Sequence, residues 1–135
     1  MADADVEKEV RLVVEAIVDA LNAADATALA ALLADRPGST HIGSDPNEWW
    51  TKQELVDGIR QAMGSGGQVR AENTETIVHS LGDVAWTEGR GRFINTDGSE
   101  REVRITGVYV REGGEWRAAQ SHASLGVPND EMFSS

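Results

Sequence analysis

The run Gly113-Gly114-Glu115-Trp116-Arg117-Ala118-Ala119-Gln120-Ser121-His122-Ala123-Ser124 decides how the second half of this chain is read. It opens on a Gly-Gly turn signal and continues as a strand. Side chains in a strand alternate between faces. Trp116, Ala118, Gln120, His122 and Ser124 are therefore expected on one face, which starts apolar and ends polar. Such a face fits a sheet that covers a core at one end and lines a cavity at the other.

Working back from that run, residues 69–78, 84–94 and 102–111 read as three further long strands, and the last strand covers 116–125. Gly82-Asp83, Asp97-Gly98 and Gly113-Gly114 are tight-turn signals between them, so the four strands form an antiparallel meander. Gly89 and Gly91 inside a strand suggest a bulge or sharp bend.

The first half has a helical period instead. Val6, Val10, Val13, Val14, Ile17 and Leu21 form one apolar stripe, with Glu7, Lys8, Arg11, Glu15 and Asp19 on the other side. This predicts a long helix over 6–23. Asp25 can cap a second, Ala-rich helix with Leu29, Leu32 and Leu33 turned inward, ended by Pro37-Gly38. Residues 39–43 are a short strand candidate. After the Ser44-Asp45-Pro46-Asn47 turn and Trp49-Trp50, Thr51-Lys52-Gln53-Glu54 has the capping-box pattern. Leu55, Ile59 and Met63 continue a third helix that Gly64 stops. Helices first and strands later is an α+β pattern. The chain is expected to be one domain over 1–135, with its core at 6–127 and a tail at 128–135 in which Met132 and Phe133 are the residues able to pack back.

Composition narrows the function classes. The 135 residues carry 23 acidic and 12 basic side chains, a net charge of −11. That balance argues against nucleic-acid binding, which needs clustered Lys and Arg, and against docking on anionic membranes. With no cysteine, thiolate metal sites and a Cys nucleophile are excluded. The acidic N-terminus is unlike a signal peptide, and a soluble, cytoplasmic protein is expected. His41, His79 and His122 lie far apart without metal-ligand spacing, so neither a metal nor another cofactor is expected.

Three helices, a short strand between the second and third, and a long meander resemble the NTF2-like superfamily. The wording of Asp45-Pro46-Asn47-Glu48-Trp49-Trp50, of Gly82-Asp83-Val84-Ala85-Trp86, and of Trp116-Arg117 with His122-Ala123-Ser124-Leu125-Gly126-Val127-Pro128-Asn129 is similar to its SnoaL-like branch. The resemblance implies a cone, in which a strongly bent sheet wraps the first helix around an open apolar cavity. It also implies a homodimer. It does not transfer the steroid-isomerase residues. The family's general base lies just after the second helix, where this chain has Thr40-His41-Ile42-Gly43 without a carboxylate before Asp45. Its second acid lies mid-sheet, where this chain has Arg104-Ile105-Thr106, and Tyr109 stands on a strand. Ketosteroid isomerase activity is not expected.

His122 is the candidate catalytic residue, as an acid or base near neutral pH; the alternative is a structural histidine. Arg104 and Thr106 share a face of the neighbouring strand. With Gln120, His122 and Ser124 they would form a polar cluster for an anionic or carbonyl ligand, or else a solvated outer face. Glu88 and Arg90 fit an outer face better. If Arg104 and Thr106 point inward, Val103, Ile105 and Tyr109 point outward and supply an apolar dimer stripe. Trp50 and Trp86 could wall a ligand site, whereas Trp49 and Trp116 suit packing. The expected partner is a small hydrophobic or carbonyl-containing molecule. Isomerase, cyclase or dehydratase chemistry, ligand binding without turnover, and a dimeric interaction module all remain open.

Overall fold

Asp3 starts the first helix. Its carboxylate accepts from the Asp5 and Val6 amides, and α1 (Ala4–Asn22) follows, with its apolar stripe turned to the core. The structure, a computed structural model, describes residues 3–62 and 69–133. Asp25 caps α2 (Ala26–Leu32) through the Ala28 amide. Before α3 (Lys52–Ala62) the capping box closes in both directions: the Thr51 amide donates to Glu54 Oε1 at 3.0 Å, and the Glu54 amide to Thr51 Oγ1 at 3.2 Å. The expected continuation through Met63 to a stop at Gly64 lies outside the described residues.

The strands are β1 (Thr40–Ile42), β2 (Trp49–Trp50), β3 (Arg70–Leu81), β4 (Val84–Ile94), β5 (Glu100–Glu112) and β6 (Glu115–Ser124). They form one mixed sheet in the order β2-β1-β6-β5-β4-β3. The meander of β3 to β6 is antiparallel, and β1 joins β6 in parallel, pairing His41 with Ser121. β2 was not foreseen; it pairs antiparallel with β1. α1 packs on both β3 and β6, which are separated by two strands, so the sheet curls around the helix. This is the α+β cone expected from the sequence.

The bend has a local cause. The extra residue lies on β3, where Thr74 is squeezed out between the Asn73–Gly91 and Glu75–Arg90 pairs. Opposite it, a Cβ on Gly89 would lie 2.4 Å from the Glu75 carbonyl oxygen, and one on Gly91 2.5 Å from that of Glu72. The two glycines let the backbones close up, and the bulge they suggested sits on their partner strand.

The core gathers Val10, Leu29, Leu33, Val56, Val78, Ala85, Tyr109, Trp116 and Ala118. Trp116 Nε1–H donates to Glu9 Oε2 at 2.9 Å, and the Arg111 guanidinium lies 4.5 Å over its ring. Trp49 does not pack; it is 71% exposed, because β2 is an edge strand. The tail forms one turn, α4 (Asn129–Met132), with Met132 and Phe133 exposed rather than folded back. Among the described residues no helix is long and apolar enough to cross a membrane.

Candidate functional site

One bulge rearranges the expected site. Tyr109 pairs with Ala118, but Val108 pairs with Gln120, so Ala119 is an extra residue on β6. An extra residue reverses the alternation beyond it. Trp116 and Ala118 are buried as expected, but the inward residues after the bulge are Ser121 and Ala123. Gln120, His122 and Ser124 fall on the opposite face, with Gln120 and His122 exposed.

The neighbouring strand follows the same register. Ile105 pairs with Ala123 and lines the cavity, and Val103 and Tyr109 are buried. The expected outward stripe of Val103, Ile105 and Tyr109 is therefore reversed. Arg104 and Thr106 are exposed, and Arg104 Nη2 donates to Ser124 Oγ at 3.3 Å. Thr106 and His122, a cross-strand pair, border the cavity but belong by alternation to the outer face. Glu88 and Arg90 are on that outer face too, as favoured, with Glu88 3.2 Å from His79 and Arg90 3.5 Å from Glu102. Trp86 stacks on His79 there, with ring centroids 5.6 Å apart, and is 42% exposed. Of the tryptophans, Trp50 lines the cavity.

The cavity has a volume of about 320 Å³, within the range of small-molecule sites, roughly 300–1,000 Å³. Val14, Ile17, Val18 and Leu21 of α1 form one wall, and Leu29 of α2, Leu33 just after it, and Leu55 and Ile59 of α3 another. Ala71, Phe93, Ile105 and Ala123 close it from the sheet. The hydrophobic periods of helix and strand thus meet around an unfilled space.

Two of its polar groups, Ser121 and His41, belong to one row across the sheet. Thr87, Gly107 and Ser121 lie in one row across the sheet, and His41 continues it beside Ser121. A Cβ on Gly107 would lie 2.8 Å from the Tyr109 hydroxyl, so the phenol occupies the space that glycine leaves open. Burial pushes the Tyr109 phenol up from its ordinary pKa, and a hydrogen bond with Thr87 offsets part of that. At the end of the row, His41 Nδ1 lies 2.8 Å from Ser121 Oγ. His41 is only 2% exposed, and its Nε2 is buried without a hydrogen-bond partner among the described residues. Burial first, and the Lys52 ammonium second, lower its pKa to about 4, so the imidazole is neutral at pH 7.

A neutral imidazole beside a hydroxyl has two states. If Ser121 donates to Nδ1, Nε2 carries a proton to offer a ligand oxygen. If Nδ1–H donates to Ser121, Nε2 is a free base. Either state provides one polar atom at the end of an apolar chamber. Lys52 itself is occupied, bonded to Asp35 and the Leu33 carbonyl, and this hydrogen bond holds the Asp35 carboxyl below its ordinary range. Glu48 and Asn73 also line the cavity, and the Glu48 carboxylate accepts from the Asp45 amide at 2.9 Å. Among the described residues no three His, Asp or Glu side chains converge as a metal-ligand set.

Sequence reasoning missed His41, Ser121 and the inward Tyr109. A signal for His41 was present. The resemblance places a general base just after the second helix, and His41 stands at that point of the chain.

Comparison with known proteins agrees with this geometry at the level of fold. An NTF2-like protein of unknown function from Pseudomonas putida KT2440 superposes with a TM-score of 0.82 at 22% identity, covering 97% of this chain and 94% of that one. An NTF2-like superfamily protein from Salmonella enterica serovar Typhimurium gives 0.77 at 18% identity, over 94% and 95% of the two chains. A candidate dehydratase of the NTF2-like family from Streptomyces avermitilis gives 0.74 at 18% identity, over 93% and 100%. No curated protein matches the chain. The SnoaL-like domain model matches residues 10–128, and the chain belongs to the SnoaL-like family of NTF2-like folds.

Proposed function

We propose that the chain holds a small, mainly apolar molecule in the cone, its polar end at His41 and Ser121, and that His41 is the acid–base group of the site. The observation that carries this reading is the buried Nε2 of a neutral imidazole, unpartnered among the described residues, at one end of an apolar cavity. Buried polar atoms are normally satisfied, and a ligand oxygen would satisfy this one. Tyr109, whose phenol lies over Gly107 of that row, is a protonated hydroxyl able to donate to a second oxygen. Proton transfer next to a carbonyl, as in an isomerase, cyclase or dehydratase, is the chemistry such a pair suits. The Streptomyces avermitilis candidate dehydratase with the same fold is consistent with it. His122, the acid–base candidate expected from the sequence, is a rim residue in this reading.

The test is ligand-observed NMR with a panel of neutral one- and two-ring esters, ketones and alcohols against the wild type and His41→Phe. Saturation transfer from the wild type, weakened at least tenfold in His41→Phe, is expected for a bond at Nε2. A wild type that binds no member of the panel would overturn the reading.

A second reading rests on a separate observation. Ile77, Leu81, Val84 and Trp86 are exposed together at one end of the outer sheet face. We infer that a second copy of the chain covers this end, giving the homodimer expected from the sequence through different residues.

A further inference from the structure

We propose that the cavity selects uncharged ligands and rejects carboxylates, so that its ligand is a neutral one- or two-ring molecule carrying an ester, ketone or alcohol oxygen. The inference rests on the cavity reading above and adds the ligand's charge to it. A buried carboxylate needs a cation or several donors. Among the described lining residues there is no Lys or Arg, and the one carboxylate, Glu48, adds negative charge. Lys52, close enough to His41 to act on it, is already paired with Asp35 and the Leu33 carbonyl. Arg104 is turned to the outer face, where it bonds Ser124. His41 offers a single hydrogen bond and no charge, because burial and Lys52 keep it neutral. The net charge of −11 further disfavours an approaching anion. A neutral oxygen needs only a bond at Nε2 or from the Tyr109 hydroxyl and apolar walls for the rest of the molecule, and these two neutral donors do not replace the cation a carboxylate lacks.

Matched pairs separate charge from shape. Dissociation constants of methyl benzoate and benzoate, and of methyl 2-naphthoate and 2-naphthoate, are measured by calorimetry at pH 7.5 on the wild type and Glu48→Gln. At least one ester is expected to bind about tenfold or more tighter than its acid. Glu48→Gln, which keeps an acceptor for the Asp45 amide, is expected to narrow that gap by strengthening the acid. An acid that binds the wild type as tightly as its ester would overturn charge selection and leave the cavity reading standing. Absence of binding by all four would overturn the cavity reading and charge selection together. An unchanged gap in Glu48→Gln would remove Glu48 from the account.

Discussion

The Ser121 hydroxyl lies 2.8 Å from Nδ1 of His41, a bond between residues 80 positions apart in the chain. It forms because β1 joins β6 in parallel with His41 opposite Ser121, and because the Ala119 bulge turns Ser121 inward. This one contact ties the fold to the site. It fixes the imidazole in the sheet and leaves only Nε2 to be satisfied from elsewhere.

Stability should fall on acidification through His41. Its folded pKa is lowered to about 4, against about 6.5 in an unfolded chain. Between those values the unfolded state binds the proton and the folded state does not. The contribution is therefore complete above pH 6.5 and is lost as pH falls toward 4. The shift corresponds to about 3 kcal/mol at most. Urea midpoints at pH 7.5 and pH 5 should drop more for the wild type than for His41→Leu. Equal drops would show that His41 does not titrate this way.

Glycines with different surroundings should respond in opposite directions. Gly91→Ala places a Cβ 2.5 Å from the Glu72 carbonyl oxygen, a backbone atom that cannot move away without unpairing the strands. A loss of about 2–3 kcal/mol is expected. Gly58 is inside α3 with nothing among the described residues within 4 Å of the added carbon, so Gly58→Ala should gain about 0.5–1 kcal/mol. Chemical denaturation measures both, and a neutral Gly91→Ala would show that the strands approach less closely than described.

Gly107→Ala should act on the cavity through Tyr109. The new methyl would lie 2.8 Å from the phenol oxygen and 3.0 Å from a ring carbon, and the ring is buried. Displacing it should cost about 1–3 kcal/mol as overpacking and change the Tyr109 ultraviolet spectrum. Normal stability together with an unchanged spectrum would place the hydroxyl elsewhere.

Leu81→Glu tests pairing through the outer face. Leu81 is 77% exposed beside Val84 and Trp86, so the substitution costs a monomer little. A dimer covering that end would be disrupted by a charge in its apolar patch. Light scattering should show a dimer for the wild type and a monomer for Leu81→Glu. A wild-type monomer at micromolar concentration would remove this interface.

Much of the scaffold was legible because its signals are local. The α1 stripe, the Thr51–Glu54 capping box and the glycine turns each act within a few residues, and the structure uses them as read. The site depended on one non-local event. Ala119 stands between Ala118 and Gln120 with nothing in its side chain to mark a bulge, yet its insertion reverses every residue after it. Strict alternation carried His122 and Gln120 inward from Trp116, and the same inference carried Arg104 and Thr106 with them. The face of a three-residue strand such as β1 is likewise fixed only by its partner, so His41 was read without a direction.

The imidazole nitrogens of His41 give the most direct test of the central claim. A long-range 1H–15N spectrum should show His41 neutral at pH 6, and saturating methyl 2-naphthoate should shift its Nε2 resonance. A His41 that is largely protonated at pH 6, with an Nε2 resonance that no neutral ligand moves, would contradict the account.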